Sequence, residues 1–351
     1  MRHSPLQKAC TALLVIAFGW GTGYIVLKGI EYFQPSTIIV QTGVQKALTL
    51  EAKVVNPAVP ETSKLTIMVG GDLMFDRGIR AIGERNGYAS LFDDSVVSLF
   101  KKADMVVANL EGPITTNVSK TLINGKTTDS FTFTFPIAAA DALKSVGIDV
   151  VSLANNHTDN FGFAGYQETQ AYLRDAGIEW FGNPWNATST RLTIRTATGD
   201  SPVATLLEKN GITIAFVGYH AFQLGVDQVI AEIRRVSKPG VFTIVMPHWG
   251  EEYVSVPSDK MRSYARAFIA AGADAVIGAH PHIVAEQEWI GAVPVHYSVG
   301  NLLFDQYFSE QVKRGMVVQL DLVKKDGVIS IARMATHETS MKPGIGVSLE
   351  K

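Results

Sequence analysis

From Leu65 onward, short apolar runs recur along the chain, separated by stretches of mixed polar character. "LTIMV", "DMVVA", "DVVSLA", "ITIAFVGY", "VFTIVM", "DAVIGA" and "VPVHYSV" are compact and mostly rich in β-branched residues, which predicts buried strands. Between them, "IAAADALKSVG" predicts a helix stopped at Gly147 and "YQETQAYLRDAG" one stopped at Gly177. "SDKMRSYARAFIAAG" predicts a helix capped by Ser258 and stopped at Gly272. Near the end, "GMVVQLDLVKKDGVISIARMATH" predicts a hairpin turning at Asp326-Gly327. Strands alternating with helices predict a layered α/β domain. No repeat of fixed period interrupts the pattern.

The first residues follow another pattern. A short basic segment, "MRHSPLQK", precedes the uncharged run Ala9–Val26. That run is near the lower limit of the roughly 17–25 residues needed to span a bilayer. Arg2 and Lys8 favour a cytoplasmic N-terminus, with Lys28 reducing the contrast. We expect a cytoplasmic n-region (1–8), a signal anchor or transmembrane helix (9–28) and a main domain outside the cell membrane. The rival reading is a cleaved signal peptide, with small residues at Ala17 and Gly19 or at Gly21 and Gly23. Cys10 precedes the apolar core, which argues against a lipoprotein anchor. Residues 29–63 carry Pro35, Pro57 and Pro60 without a sustained period and read as a tether. The domain is expected over 64–340, with a tail at 341–351.

Six of the apolar runs end in a polar cluster. Asp72 follows the first and Asn109-Leu110-Glu111 the second. Asn155-Asn156-His157 follows the third, and His248 trails "VFTIVM". His280-Pro281-His282 closes "DAVIGA", and Asn301 closes the last. Ligands of α/β sheets bind outside the carboxyl ends of the strands, so neighbouring strands would gather these residues at one site. Each also has a plain structural reading: a helix cap for Asp72, a surface pair for Glu111, turn residues for the asparagines. Turn chemistry does not explain four histidines after strands. Of the others, His296 sits inside an apolar run as a core histidine, and His220 follows "FVGY". In extended backbone, His280 and His282 would point the same way, with Pro281 biasing His280 towards that geometry.

Composition narrows the chemistry. The chain has 351 residues, 46% apolar and 18% charged, with a net charge of -2. It folds, and it shows no basic stripe for nucleic acid. Its single cysteine excludes cysteine-rich zinc sites and iron–sulfur clusters. Carboxylate, imidazole and amide together suit Mn, Fe, Zn or Mg in a hydrolytic type of site.

The stretches "GGDLMFDRG", "ANLEGPI", "SLANNHTDNFG", "MPHWGEEY", "AGADAVIGAHPH" and "YSVGNLLFD" resemble the CapA family of poly-γ-glutamate capsule biosynthesis proteins, within the calcineurin-like metallophosphoesterase superfamily. The resemblance implies a four-layer α/β/β/α metallophosphoesterase-like sandwich behind an N-terminal transmembrane helix. It implies one or two divalent metal ions held by Asp72, Glu111, Asn156, His248, His280 and His282, with Glu111 as the bridge. His157 matches the acid histidine of the superfamily. Arg77, close after Asp72, is expected to hold an anionic substrate as a bidentate fork, the plain reading being a surface ion pair. Asn109, Asn155, Glu252 and Asn301 are expected to support the ligands. Met74 stands where the wider superfamily has a ligand histidine, and Glu111 stands in place of an aspartate; CapA-like sequences share both departures. The expected partners are an anionic polymer such as poly-γ-glutamate or capsular polysaccharide, the membrane, and subunits of a capsule-synthesis complex. The expected activity is metal-dependent hydrolysis, phosphoesterase-like or of an amide. The alternative is a non-catalytic polymer-binding or assembly subunit.

Overall fold

The computed structural model describes residues 39–40, 48–49, 62–187 and 203–350. The chain divides into two units, 1–58 and 59–351. In the first, Ile39–Val40 and Leu48–Thr49 pair as an antiparallel ladder within the expected tether. The Ala9–Val26 run lies outside the described residues, among which no helix is long and apolar enough to cross a membrane.

The second unit opens with four parallel strands: β1 (Thr62–Leu73), β2 (Met105–Leu110), β3 (Val150–Ser152) and β4 (Glu179–Phe181). Parallel neighbours require crossovers. Helices α1 (Arg77–Asn86) and α2 (Asp94–Phe100) link β1 to β2, α3 (Ala138–Ser145) links β2 to β3, and α4 (Gly162–Asp175) links β3 to β4.

The chain then builds a second, six-stranded sheet. Strands β5 (Ala204–Lys209) and β6 (Ile212–His220) form a hairpin. Helix α5 (Val226–Val236) leads to β7 (Val241–His248), and α6 (Asp259–Ala271) leads to β8 (Ala275–Ile277). Strands β9 (Gln287–Ile290) and β10 (Val293–His296) complete the order β9-β10-β8-β7-β6-β5.

Finally the chain returns to the first sheet. Strand β11 (Asn301–Leu303) pairs with β1. Strands β12 (Arg314–Lys325), β13 (Val328–Lys342) and β14 (Gly346–Leu349) extend that sheet in the order β14-β13-β12-β1. The β12–β13 hairpin turns at Asp326 and Gly327, both at positive φ (51° and 80°), the conformation that favours Asp-Gly in tight hairpins.

Side-chain alternation stacks these elements in four layers. Leu65, Ile67 and Val69 of β1 and Met105 and Val107 of β2 meet Ile212, Ile214, Phe216, Phe242, Ile244 and Met246 of the second sheet. Phe181 and Phe216 stack across this core, 5.4 Å between ring centres. The opposite faces are covered by helices: Met68, Val106 and Ala108 pack with residues of α1 to α4, and Ala215, Val217 and Val245 with α5 and α6. The architecture is the α/β/β/α sandwich that the resemblance implies.

Two boundaries differ from expectation. Strand β1 begins at Thr62, because Thr62 and Ser63 continue its pairing with Lys325 and Lys324. Residues 341–351 are no tail. Met341 and Lys342 still belong to β13, β14 adds an edge strand, and both Met341 and Val347 are buried in the helix-side core. The entry to β14 needs glycine: Gly346 has φ 132°, and a Cβ there would collide with the Leu91 carbonyl. Helix α6 matches expectation, with Ser258 Oγ accepting from the Met261 N–H at 3.3 Å and Gly272 at φ 114°.

Candidate metal centre

The strand ends converge as the apolar runs predict. Asp72 lies in register with Asn109 on one side and Asn301 on the other. Close approach is possible because Gly71 has no side chain to strike the Gly300 carbonyl, which accepts the Asp72 N–H at 3.1 Å. Glu111 follows β2, and Asn155, Asn156 and His157 follow β3. From the second sheet, His248 ends β7, and His280 and His282 follow β8. Asp72, Glu111 and the three second-sheet histidines are all buried.

These side chains fall into two sets that share Glu111. Ligand atoms of Glu111, His248 and His280 lie within 4.8 Å of one another, as do those of Asp72, Glu111 and His282. Glu111 Oε1 is 3.7 Å from both His248 Nε2 and His282 Nε2, between the sets. The Asn156 amide oxygen joins the first set, 2.8 Å from His248 Nε2. Neither oxygen of the Glu111 carboxylate has a hydrogen-bond donor. A buried, undonated carboxylate is costly, and a cation relieves that cost directly. Burial, then the nearby Asp72 and Glu252 charges, raise the Glu111 carboxyl well above its ordinary range. Burial, then neighbouring histidines, push His248 well below its own range, and burial takes His280 to about 3. The fold therefore keeps these two imidazoles unprotonated, the form that binds metal.

The supporting asparagines bond as the expected roles require. Asn109 Nδ2 donates to Asp72 Oδ1 at 2.8 Å, and Asn155 Nδ2 donates to Asn109 Oδ1 at 3.1 Å. Asn155 Oδ1 accepts the backbone N–H of His157 and Thr158, which shapes the turn carrying Asn156. Asn301 Oδ1 lies 2.9 Å from His282 Nδ1, and Asn301 Nδ2 donates to the His282 carbonyl. This fixes a proton on Nδ1 and leaves Nε2 to face Glu111. Glu252 is exposed and acts on Glu111 through its charge.

Three details depart from expectation, at His280 and His282, at His157 and at Arg77, and a fourth, at Met74, agrees with it. His280 and His282 are not extended: their φ angles are 96° and 57°. The left-handed backbone lets the His280 N–H reach Asp72 Oδ2 at 3.1 Å, so one residue serves both sets. His157 Nδ1 faces Asn160 Oδ1 at 3.3 Å, and that oxygen already accepts the Phe133 N–H. The shared oxygen is an acceptor, so Nδ1 carries the proton and Nε2 is bare; burial lowers this ring to about 4. At neutral pH the resting His157 is an acceptor, and it can donate only a proton it has first taken up. Arg77 Nε lies 3.3 Å from Asp305 Oδ1, which makes it an ion-pair residue and not a free fork. Met74 is buried on the helix side, its sulfur accepting the Asp76 N–H, which leaves the Asp72 set with three protein ligands.

His296 is buried, with burial lowering its pKa to about 4, as a core histidine should be. His220 is buried in register with His248, its Nδ1 2.8 Å from the Pro184 carbonyl. Sequence reasoning passed over Asn160, which orients His157, and the aromatic rings over the ligands. Phe222 lies 4.5 Å from His280 and Tyr253 6.2 Å from His282, between ring centres. Asn160 carried a faint signal, as a polar residue three positions after His157; the rings carried none.

A four-layer sandwich with a buried carboxylate and histidine centre at its strand ends defines a candidate metal-binding protein. The family described as bacterial capsule synthesis protein PGA_cap matches residues 66–306, and the chain belongs to that family. It is similar to the capsule biosynthesis protein CapA of Bacillus anthracis, 28% identical over 297 residues, covering 81% of this chain and 70% of that protein. The PGA biosynthesis protein CapA of Bacillus subtilis (strain 168) is 26% identical over 290 residues, covering 78% and 72%. Among solved structures, the calcineurin-like phosphoesterase YfkN of Bacillus subtilis aligns with a TM-score of 0.45 and 16% identity, over 80% of this chain and 91% of that one.

Proposed function

We propose that this chain is a membrane-anchored, exported metal-dependent hydrolase acting in the production, transport or release of a capsular polymer such as poly-γ-glutamate. The observation that carries the reading is Glu111: a buried carboxylate with no donor, shared by two sets of ligand atoms. Glu111, Asn156, His248 and His280 would hold one divalent ion, and Asp72, Glu111 and His282 a second, from among Mn, Zn, Fe and Mg. When bound, such an ion supplies Lewis acidity toward the scissile group and toward water. The protein's own residues do the rest. Asn109 and Asn301 orient Asp72 and His282. His157, fixed through Nδ1 by Asn160, offers Nε2 to take up a proton and return it to the leaving group. Arg77, steadied by Asp305, adds positive charge for an anionic substrate.

A second reading, a non-catalytic polymer-binding subunit of a capsule-synthesis complex, is favoured by the three-ligand Asp72 set that Met74 leaves behind. Elemental analysis and hydrolysis assays on generic phosphodiesters and on poly-γ-glutamate separate the two. The hydrolase reading expects bound metal in the parent, less in His280→Ala and His282→Ala, and turnover that follows metal content. Metal without turnover on any substrate supports the binding subunit. Equal metal content in all three proteins rejects both ion sites.

The anchor, with its N-terminus in the cytoplasm and the domain outside, is carried by the basic start and the Ala9–Val26 run. It expects an exported C-terminal reporter and retention in carbonate-washed membranes. A soluble protein with a new N-terminus near Gly19 or Gly23 would replace the anchor by a cleaved signal.

A further inference from the structure

Asp76 occupies the N-cap of α1, where an aspartate ordinarily accepts N–H groups of the first helical turn, yet its side chain makes no cap bond. The Gly78 N–H goes instead to Asp305 Oδ2 at 2.9 Å, from the chain beyond β11. The buried Asp76 carboxylate turns the other way. Its Oδ1 accepts from Arg80 Nε at 2.9 Å and from Ser119 Oγ at 2.7 Å, and its Oδ2 accepts the Thr134 N–H at 3.0 Å. Arg80 also donates to the Thr134 carbonyl. Neither helix capping nor metal binding accounts for this arrangement.

What Asp76 holds is a long excursion of the chain. After β2 the backbone leaves at Pro113 and returns at Phe135, whose N–H donates to the Pro113 carbonyl at 2.7 Å. Ser119 stands near the start of the excursion and Thr134 at its end, so Asp76 ties both. The residue before Thr134 is Phe133, buried, with its ring centre 4.4 Å from that of His157. The Phe133 N–H donates to Asn160 Oδ1 at 2.6 Å, the same atom that faces His157 Nδ1 at 3.3 Å. The Phe131 carbonyl, on the same segment, acts on that ring as a further acceptor. An amide side chain offers an acceptor at one end and donors at the other. The Phe133 N–H makes Asn160 present its oxygen, and that oxygen keeps the His157 proton on Nδ1. With Phe133 displaced, Asn160 is free to turn its Nδ2 to the ring, and the proton moves to Nε2. The resting imidazole would then donate where it now accepts.

We propose that Asp76 is a positioning residue for His157: by fixing the Phe133–Thr134 peptide, it sets which nitrogen of that imidazole is bare. Arg80 shares the task through the Thr134 carbonyl. The bearing of this relay on turnover rests on the hydrolase reading above; the tautomer that it sets does not.

The test is nitrogen NMR of the imidazole rings in the zinc-loaded full chain in detergent, at one neutral pH, with the His157 signals identified by their loss in His157→Gln. The parent should show His157 protonated on Nδ1. Asp76→Asn keeps an oxygen for Arg80 and Ser119 but sets an NH₂ group against the Thr134 N–H. It should shift the tautomer ratio towards Nε2–H by about tenfold or more, the loss of one hydrogen bond to a charged group. If Asp76→Asn fails to fold because Arg80 lacks its counter-charge, Asp76→Asn combined with Arg80→Gln removes both charges and should give the same shift. Ser119→Ala, which leaves the Thr134 bond in place, should keep the parent tautomer. Asn160→Ala should free the ring, and adding Asp76→Asn to it should change nothing further. On a generic phosphodiester, Asp76→Asn should lower kcat by about tenfold with KM unchanged. A parent tautomer preserved in Asp76→Asn, or in the double variant that replaces it, would overturn the role of Asp76. So would a further shift on adding Asp76→Asn to Asn160→Ala, which would mean that Asp76 acts by another route. A tautomer shift in a protein whose parent turns over no substrate would reject the hydrolase reading and leave the relay standing.

Discussion

Glu111 is held at the meeting point of two ligand sets, with neither oxygen bonded and its carboxyl raised well above the ordinary value of 4.5. Without metal, the native state holds this proton more tightly than the unfolded chain does. Its contribution is therefore fully present below the unfolded value and is lost as pH rises above it. The nearby histidines act oppositely: their depressed pKa values cost stability as pH falls below 6.5. Glu111→Gln isolates the first effect. In chelator, the variant should be more stable than the parent by about 1–3 kcal/mol at neutral pH, with the gap closing towards pH 4. It should also bind less metal. Melting curves across pH, with and without chelator, read both; a pH-independent gap would show that the carboxylate is not the source. His280 offers a second test, of the backbone. At φ 96°, an alanine keeps the strain of the native residue and a glycine releases it. His280→Gly should be more stable than His280→Ala by about 1 kcal/mol, with metal lost equally from both. Equal stability would mean that the left-handed turn is unstrained.

Legibility differed from element to element. Asp72, Glu111, Asn156, His248, His280 and His282 could be picked out because each trails an apolar run, and parallel strands place such residues together. The turn at His280-Pro281-His282 could not, because its left-handed φ angles belong to tertiary bonds such as His280 N–H to Asp72 Oδ2. Phe222 was hidden for a related reason: nothing local shows that it will cover an imidazole that follows β8, two strands away across the sheet. Strand β14 was hidden because it is only Gly346–Leu349, and its worth lies in Val347, inserted in the core beside Leu91. That insertion predicts that Val347→Asp destabilises by at least about 3 kcal/mol, through a lost apolar contact and a buried charge without a partner. Urea unfolding reads the loss. Metal content per folded chain should not change, because two strands, β13 and β12, separate β14 from β1. Unchanged stability would mean that β14 contributes nothing to the core and would restore the expected tail of 341–351.

At the scale of the molecule, the chain is wound so that neither sheet owns the site. The first sheet brings Asp72, Glu111, Asn156 and His157, and the second brings His248, His280 and His282. Strand β11, after the chain has returned, brings Asn301 of the first sheet to His282 of the second. A metal at this junction binds only when both sheets are packed on their shared core, so its binding energy becomes folding energy for both. Metal at about 100 times its Kd should add about 2.7 kcal/mol to unfolding. Phe216→Ala, which removes the ring stacked on Phe181 between the sheets, should cost about 3–5 kcal/mol, and metal should offset part of that loss. Native-state hydrogen exchange locates the effect. Amides of β1 and β2 and those of β7 and β8 should all gain protection on metal addition, by similar free energies. Protection confined to β7 and β8 would mean that the histidines bind the ion alone. Glu111 would then be no bridge, and the coupling of the two sheets through the metal would fail with it.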